Sequence, residues 1–351
     1  MAAASMINPM YTVKISNGTK TYNVTKALTD LTIGHGENDF AQRVNVSIAD
    51  VKVDGKFFNS QVALKNSLYV YCNTGSGSKE IFRGIVWTKN YDEKVKDQDI
   101  QLVAYDKLIY LQKSKDNLYF AKGKSTKTVL NTIAKKWGIK LSYKYSSITH
   151  GKLVFRGEYI ADIIIEILEK VKKKTGIKYA IRCEKGTMYI EPYGTNSTIY
   201  QLHQKKNAIS TSYSTTMDGM ITKVLIIGNE DKNDKSPNLA TVKGNTSKYG
   251  TLQEVISKSD DDKLSEIKKE AQQTIKENGK PTTSINVKAI ANPYIKKGHK
   301  VHIKAGNINN YYYVLGIEQD ALKKEMSLEV VKVWVWKAHL NLLLYFKKEW
   351  N

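Results

Sequence analysis

Short segments in which apolar and polar residues alternate dominate the chain and constrain its fold most strongly. The clearest segments are residues 43–48, 67–72 and 100–105, where every second side chain is apolar. A period of two places these side chains on one face of a β-strand. Asn-Gly, Asp-Gly and Gly-Ser runs separate the segments as turn signals. The sequence therefore predicts many short strands in a closed barrel or a sandwich.

Two blocks with helical periodicity interrupt these strands. After Ser125, a good N-cap residue, apolar side chains recur every four residues up to Trp137. We expect further helices over about residues 158–175 and, capped by Ser259, over residues 259–278. Strand-rich segments flank both helical blocks, which indicates β domains with helical insertions and no simple α/β alternation.

The positive charge of the chain bears on its partners more than on its fold. Lys and Arg total 55 against 34 Asp and Glu, which gives a formal net charge of +21. All but four of the 55 basic residues are Lys, whereas recognition of phosphates and bases favours the planar fork of Arg. Lysine as the default surface residue therefore explains most of the excess. A basic nucleic-acid-binding protein remains an alternative function.

The chain shows no targeting or membrane signal. It has no run of about 18 apolar residues that would span a membrane, and residues 1–6 lack the basic and apolar regions of a signal peptide. Cys72 and Cys183 are the only cysteines and lie in no metal or redox pattern. We therefore expect synthesis in a reducing bacterial cytoplasm, with both thiols packed in strands.

The motifs that suggest chemistry fail on spacing. Residues 123–126, Gly-Lys-Ser-Thr, look like the end of a phosphate-binding loop, but Leu118 occupies the position that requires the first glycine. His299 and His302 are three residues apart, so on a strand they would point to opposite faces and could not share a metal. We expect no catalytic residue, no cofactor and no metal site, and hence no enzyme.

Residues 124–145 are loosely similar to a peptidoglycan-binding LysM module. An amphipathic helix that ends in glycine accounts for the same pattern. A cell-wall-binding tail accessory protein is therefore kept as a second alternative function.

Three stretches together resemble the baseplate hub proteins of contractile phage tails and phage-tail-like bacteriocins, the XkdQ-like family. The resemblance covers about residues 6–333 and depends on the order and spacing of three motifs. They are Ala104–Leu111 with its Asp-x-Leu-x-Tyr-Leu pattern, Gly298–Ile303 with Gly-x-x-Val-x-Ile, and the hairpin Tyr311–Asp320 followed by Met326–Val330.

The resemblance implies a mainly β (α+β) fold with two tube-type β-barrel domains, an inserted α/β domain and a helical insertion. The implied domains are a first barrel over residues 6–110, an α/β domain over 111–195, a second barrel over 196–336 interrupted by an insertion at 231–279, and a C-terminal tail at 337–351.

The same resemblance implies a structural role without catalysis. Three copies of such a hub form a ring that adapts the six-fold tail tube to the three-fold central spike. The implied partners are the chain itself as a homotrimer, although the isolated chain could be a monomer, together with the tube protein, the spike and other baseplate proteins. The chain would be incorporated into the baseplate of a phage or tail-like particle.

The last segment continues beyond the point where the resemblance predicts the chain to end. Aromatic residues are frequent there, and exposed aromatics in number usually mark an interface. We therefore expect partner contacts at Trp334, Trp336, Tyr345, Phe346 and Trp350.

Overall fold

The structure is a computed structural model that describes residues 8–333, apart from 76, 93–97, 145–146, 231–234 and 259–261. One unit comprises the described residues up to Ser212 and from Ile285 onward, and the other comprises Tyr213–Ser284. Strands account for 49% of the described residues and helices for 19%, so the expected mainly β (α+β) fold class is confirmed. Among the described helices, none has the length and apolar character needed to cross a membrane.

The first β-half is an antiparallel sheet in which the alternating segments of the sequence become strands. The strands are β1 (Met10–Ser16), β2 (Thr21–Asn23), β3 (Leu28–His35), β4 (Arg43–Ala49), β5 (Lys52–Val53), β6 (Lys56–Phe57), β7 (Ser67–Asn73), β8 (Ser78–Asp92) and β9 (Asp99–Tyr105). They lie in the order β3-β4-β9-β8-β7-β1-β2, and β5 and β6 form a separate short hairpin.

Burial in this half follows the predicted period of two. In β4, β7 and β9 every second residue is buried, and all of these residues except Cys72 belong to one core with the fully buried Phe58. Each large apolar side chain removed from water stabilises the fold by about 1.5–3 kcal/mol. The alternation therefore fixes which face of the sheet becomes the core.

An α/β segment with two small sheets follows. Its elements are α1 (Ile109–Lys113), β10 (Lys115–Phe120), α2 (Thr126–Lys136), β11 (Lys140–Tyr143), β12 (Leu153–Tyr159), α3 (Ile160–Thr175), β13 (Tyr179–Glu184) and β14 (Thr187–Pro192). The strand orders are β10-β12 in one sheet and β11-β14-β13 in the other.

Both helices predicted in this segment are confirmed. The Ser125 hydroxyl accepts a hydrogen bond from the Thr128 amide at 3.2 Å and caps α2. Helix α3 ends at Gly176, whose φ of 71° is the left-handed conformation that favours glycine at this position. The apolar faces of both helices pack into one core with β12 and β14.

The chain then leaves the first unit and enters the second. Strand β15 (Tyr200–His203) still belongs to the first unit, and the unit boundary falls within β16 (Ala208–Thr216). The elements that follow are β17 (Lys223–Ile227), β18 (Asn238–Lys243), α4 (Thr246–Tyr249), β19 (Gln253–Ser257) and α5 (Leu264–Asn278). The second unit forms a sheet of order β18-β17-β19, on which α5 packs.

The start predicted for the last of these helices is wrong. Helix α5 begins at Leu264 with Lys263 at its N-cap, and Ser259 lies outside the described residues. The residues that anchor the helix are Ile267 and Ala271, which are buried against β17.

The remaining strands complete the second β-half, which comprises β15, β16 and four strands at the end of the described chain. They are β20 (Thr282–Ile290), β21 (Lys300–Ala305), β22 (Ile308–Asp320) and β23 (Glu325–Lys332). Their order is β16-β20-β23-β22-β21-β15, with β15 parallel to β21. The core of this half is separate from that of the first half.

The two β-halves repeat one arrangement of five strands. The series β3-β4-β9-β8-β7 in the first half corresponds to β16-β20-β23-β22-β21 in the second. The sixth strands differ, because β1 is antiparallel to β7 whereas β15 is parallel to β21. The chain thus contains an internal structural repeat that the sequence does not display.

The repeat extends to single residues. The pairing of β8 with β9 shifts register between Val86 and Thr88. The corresponding pairing of β22 with β23 shifts between Val314 and Gly316. Lys65 lies just before β7, and Gly298 lies just before the corresponding strand β21. Both have a positive φ, of 68° and 86°. The amides of Lys65 and Gly298 donate to the carbonyls of Val86 and Val314, each at 2.8 Å. Aligned in this way, β8 and β22 can be compared residue by residue.

The cap of α2 gives the first testable prediction. Ser125→Ala should lower the free energy of unfolding by about 1 kcal/mol, because an amide of the first turn loses its acceptor. Ser125→Asp, whose carboxylate can accept the same bond, should stay close to wild type. Urea denaturation followed by circular dichroism would measure both. Equal stability of the alanine and aspartate variants would contradict the capping role.

Candidate functional site at the joint between the two β-halves

The two β-halves are joined edge to edge by backbone pairing. The second part of β22 is antiparallel to the end of β3 in a register of four pairs. These pairs are Ile317 with His35, Glu318 with Gly34, Gln319 with Ile33, and Asp320 with Thr32. Because β22 also pairs with β23 and β21, the strands of both halves belong to one sheet. We call this pairing, with the loops that cover it, the joint.

Lys297 closes the joint from the loop between β20 and β21. Its ammonium donates to the carbonyl oxygens of Gly36, Glu37 and Asp39 at 2.9, 2.6 and 2.9 Å. An ammonium has three donors, so this loop between β3 and β4 satisfies all of them. The residue is only 7% exposed. Burial lowers the pKa of Lys297 to about 8, against the opposing attraction of Asp39 and Glu37.

Arg182 on β13 connects the α/β segment to the same loop. Its guanidinium donates to the carbonyl of Lys297 at 3.1 Å and to Glu191 at 2.6 Å. Glu184 is paired with Lys296 at 2.7 Å, and although burial raises its pKa, Lys296 and Arg182 hold that pKa below its usual range. Three parts of the first unit therefore meet in one network of charges that neutralise each other.

Gly298 allows the backbones to come this close. At its φ of 86°, a Cβ atom would lie 2.3 Å from the Cβ of Ala180 on β13, a separation that side chains cannot tolerate. Its carbonyl accepts from the Gly194 amide at 2.7 Å. The glycine that opens the Gly-x-x-Val-x-Ile motif is therefore required by close packing against the α/β segment.

His35 lies beneath this network as a neutral side chain. It is 4% exposed, and its Nε2 donates to the Asp39 carbonyl at 3.2 Å. Burial lowers the pKa of His35 to about 3, and the charge of Lys297 acts in the same direction. The imidazole is thus a packed hydrogen-bond donor.

The aspartate of the Asp-x-Leu-x-Tyr-Leu motif also has a structural role. The carboxylate of Asp106 accepts from the amides of Gln42 and Leu108 at 2.9 and 2.8 Å. Burial raises the pKa of Asp106 to about 7. Asp106 connects the end of β9 to the start of β4 and turns the chain into α1.

The motifs considered for chemistry have structural roles as well. The amides of Gly123 and Thr126 donate to the carbonyls of His150 and Ile148 at 2.9 and 3.0 Å. They are therefore occupied and cannot cradle a phosphate. The backbone of residues 123–126 instead holds the start of α2 against the following loop.

The histidines and cysteines do not come together into a site. Within the part of the chain that the structure describes, no three His, Cys, Asp or Glu side chains form a group that could hold a metal ion. Burial raises the pKa of the Cys72 thiol to about 11 and that of Cys183 to about 12. Both thiols are therefore protonated at neutral pH, which makes them weak nucleophiles.

The predicted interface residues of the C-terminal segment, Trp334, Trp336, Tyr345, Phe346 and Trp350, lie outside the described residues. They stay predictions. The joint itself was missed, because Lys297 and Arg182 carry no local pattern that separates them from surface residues. The glycine after two lysines, in Lys296-Lys297-Gly298, was the one available signal.

Removal of the buried ammonium should destabilise the joint. Lys297→Met leaves three backbone carbonyls without their donor, and we expect a loss of about 3 kcal/mol or more in unfolding free energy. Lys296→Met is the matched control, because its half-exposed ion pair contributes under about 1 kcal/mol. Thermal and urea unfolding would measure both variants. Equal effects of the two substitutions would contradict the role of Lys297.

Acid should destabilise the protein through His35. Its folded pKa of about 3 lies below the usual value of about 6.5, so below pH 6.5 protons bind more readily to the unfolded chain. The free energy of unfolding therefore falls by about 1.4 kcal/mol per pH unit from about pH 6.5 down to about pH 3 through this group. Asp106, with a raised pKa, acts with the opposite sign between about pH 7 and 4.

Because of Asp106, the diagnostic quantity is the stability difference between wild type and His35→Gln. This difference should move in favour of the variant as the pH falls from 6.5 to 4, when measured by urea unfolding at each pH. A difference that does not change with pH would contradict a neutral buried His35.

Comparisons with known proteins agree with the motifs. A sequence model of the YQBQ-like family matches residues 31–331. The chain is 26% identical over 261 residues to the phage-like element PBSX protein XkdQ of Bacillus subtilis, covering 72% of this chain and 78% of that protein.

Two solved structures share the fold. The tail protein from Neisseria meningitidis MC58 superposes with a TM-score of 0.66 at 15% identity, covering 93% of this chain and 98% of that one. The E. coli c3393 protein is described as a component of the type VI secretion system with structural similarity to the T4 bacteriophage tail proteins gp27 and gp5. It superposes with a TM-score of 0.55 at 9% identity, covering 91% of this chain and 76% of that one.

The family match covers most of the chain and includes the three motifs that carried the resemblance to XkdQ-like proteins. That resemblance is confirmed, and the chain belongs to the YQBQ-like family.

Proposed function

We propose that the chain is the structural hub of a contractile-tail baseplate and acts without catalysis. The observation that carries this proposal is the internal repeat. One chain presents two β-halves with the same five-strand order and the same register shift, joined edge to edge. Three such chains would offer six similar β-halves while having only three-fold symmetry. A ring of this kind matches a six-fold tube on one side and a three-fold spike on the other.

The joint supports this role through its rigidity. A ring closes only when the angle between successive β-halves is fixed, and here that angle depends on backbone pairing and on a buried, fully bonded ammonium. The charged side chains around the joint are bonded to one another. They therefore serve the architecture, and the proposal assigns no catalytic residue to the chain.

The similar proteins support a place for the chain in a phage tail or a tail-like particle. Tail and secretion-system proteins share the fold, and the sequence relative belongs to a phage-like element. We propose the tail tube protein, the central spike and other baseplate proteins as partners. The chain would be made in the bacterial cytoplasm and become part of a phage or tail-like particle.

The domain division and the C-terminal segment belong to this proposal. Residues 6–110 and 196–336 would be the two tube-type barrels, and residues 111–195 the α/β domain between them. The aromatic segment after residue 333 would be a docking arm for the tube, the spike or a baseplate protein.

Counting the copies in purified particles tests the hub role. We expect three copies of the chain per tail, measured by quantitative mass spectrometry against the tube protein, whose copies come in multiples of six. An antibody to the chain should label one end of the tail in electron micrographs. Absence of the chain from the particles, or a copy number that is not a multiple of three, would contradict the proposal.

Two binding measurements on the purified chain test the alternatives. A nucleic-acid-binding protein would stay on heparin or DNA at about 0.15 M salt, with a steep salt dependence. A cell-wall-binding protein would sediment with peptidoglycan. We expect neither result. Either one, together with absence from the particles, would replace the hub function.

A further inference from the structure

We propose that one face of the two-stranded ribbon β10–β12 is a docking surface for a partner protein that presents a carboxylate beside apolar side chains. We call this face the outer ribbon face, and its residues are Lys115, Asn117, Tyr119, Val154, Arg156 and Tyr159. The inference deepens the proposed function and rests on it for the source of the partner, which would be another protein of the tail particle.

Packing within the chain leaves the outer ribbon face open. The opposite face of the ribbon is buried in the core of the α/β segment through Leu118, Phe120, Leu153 and Phe155. In the part of the chain that the structure describes, β10 and β12 pair only with each other. All six residues of the outer ribbon face are exposed. The ribbon therefore has a free surface that the rest of its own segment does not cover.

Large apolar and aromatic side chains occupy much of this surface. Tyr119 is 65% exposed, more than any other large apolar or aromatic side chain among the described residues. It lies directly opposite Val154, and Tyr159 lies opposite Lys115. The Lys115 ammonium is 4.7 Å from the centre of the Tyr159 ring. A Tyr–Val pair across two strands stabilises the ribbon itself, but exposed aromatic side chains in number usually mark an interface.

Arg156 lies on β12 between Val154 and Tyr159, and its charge is uncompensated. Carboxylates pair with the other three arginines of the chain, at 4.0, 2.8 and 2.6 Å for Arg43, Arg83 and Arg182. Among the described residues, no carboxylate lies within 4.0 Å of the Arg156 guanidinium. In a chain whose surface charge is almost entirely lysine, an exposed arginine beside tyrosines is unusual. Tyr and Arg are the residues enriched at the centres of protein interfaces, where Lys is depleted.

A β-bulge fixes the backbone around Arg156. Two residues of β12, Arg156 and Gly157, lie opposite the single Asn117 of β10. Gly157 has a φ of 65°, and its amide donates to the side-chain oxygen of Asn117 at 2.7 Å. The Arg156 amide donates to the Glu158 carboxylate at 3.3 Å. Bulges redirect side chains and recur beside functional sites. The backbone polar groups are thus satisfied, while the guanidinium is left to an external acceptor.

The composition of the face favours a protein carboxylate over nucleic acid. A guanidinium can form two parallel hydrogen bonds to a carboxylate or a phosphate. Binding to nucleic acid depends on several cations that neutralise several phosphates, whereas Arg156 and Lys115 are the two cations of the outer ribbon face. The Lys115 ammonium already lies over an aromatic ring. One carboxylate between apolar groups matches the face better than a row of phosphates.

The charge of the surrounding segment would attract an acidic partner. Residues 111–195 contain 18 Lys and Arg against 7 Asp and Glu. About a quarter of the chain therefore carries more than half of the formal net charge of +21. Complementary charge of this kind steers the encounter between two proteins, and the apolar side chains and Arg156 then determine where the partner docks.

Photo-cross-linking identifies what covers the face. Tyr119 is replaced by the photo-reactive amino acid p-benzoylphenylalanine in bacteria that produce the whole particle, and adducts are identified by mass spectrometry after irradiation. We expect an adduct with a segment of another protein of the particle that contains Asp or Glu. The same replacement at Val154, directly opposite, decides the outcome where the first replacement itself blocks docking.

Charge variants test the role of Arg156 in this adduct. Arg156→Glu should reduce the adduct at least about tenfold, because like charges then meet. Arg156→Lys should reduce it less, because the charge is kept and only the planar fork is lost. Lys26→Glu makes the same change of charge at an exposed lysine between β2 and β3 and should leave the adduct unchanged. Arg156 and Lys26 are both exposed, so each variant should keep the wild-type circular dichroism spectrum and melting temperature.

Several results would overturn the docking surface. They are no adduct at either site, an adduct with a second copy of this chain, an adduct that nuclease removes, and equal losses with Arg156→Glu and Lys26→Glu. Replacing the acidic residue of the cross-linked segment by Arg should restore the adduct of Arg156→Glu, and failure to restore it would show that the two charges do not meet.

The outcomes separate this inference from the hub function. If wild-type particles contain three copies of the chain per tail but no adduct forms, the docking surface is overturned and the function stands. If the chain is absent from the particles, the hub function fails. The adduct and its loss with Arg156→Glu, measured in the same cells, then decide the docking surface alone.

Discussion

The buried ammonium of Lys297 is the interaction on which the rest of the first unit depends. It donates to three carbonyls of a loop in the other β-half. These bonds stabilise the contact between the two halves and also fix where one half lies against the other. A buried cation is costly unless every donor is bonded. The arrangement is therefore tolerated only when the two halves meet at one distance and one angle. Backbone pairing alone would leave β22 and β3 free to twist, because edge-to-edge strands vary widely in twist.

The two β-halves carry different residues at the turn before β7 and before β21, and only the second of these turns packs against the joint. The left-handed residue before the long hairpin is Lys65 in one half and Gly298 in the other. In the first half this residue is exposed, so a lysine has only the small cost of a positive φ. In the second half β13 occupies that space, and a side chain would clash with Ala180. The same backbone turn is thus kept in both halves, and only the half that carries Lys297 requires glycine.

Local patterns in the sequence were sufficient for the clearest strands and for helices α2 and α3, whereas the start of α5 was predicted wrongly. The alternation in β4 and the cap at Ser125 depend on neighbours within a few residues, and both were predicted correctly. The joint was not predicted, because it brings together His35, Arg182 and Lys297, which are more than a hundred residues apart in sequence. The residue patterns also did not show the internal repeat, because it is a repeat of register and strand order, and only the family resemblance implied two barrels. Trp87 and Leu315 occupy the same position in the two halves, at the register shift of β8 and of β22. Their side chains differ because only the backbone geometry is shared.

The positive charge of the chain bears on how copies could meet. A protein with a formal net charge of +21 repels its own copies, so close approach needs a surface where that repulsion is weak. Strand β16 offers one, because it is uncharged over its full length. Backbone hydrogen bonds are short-ranged and do not depend on net charge, whereas the repulsion between exposed charges is screened beyond about 10 Å in salt. Contact between copies through the lysine-rich surface is therefore opposed at low salt, whereas an uncharged surface carries no such penalty.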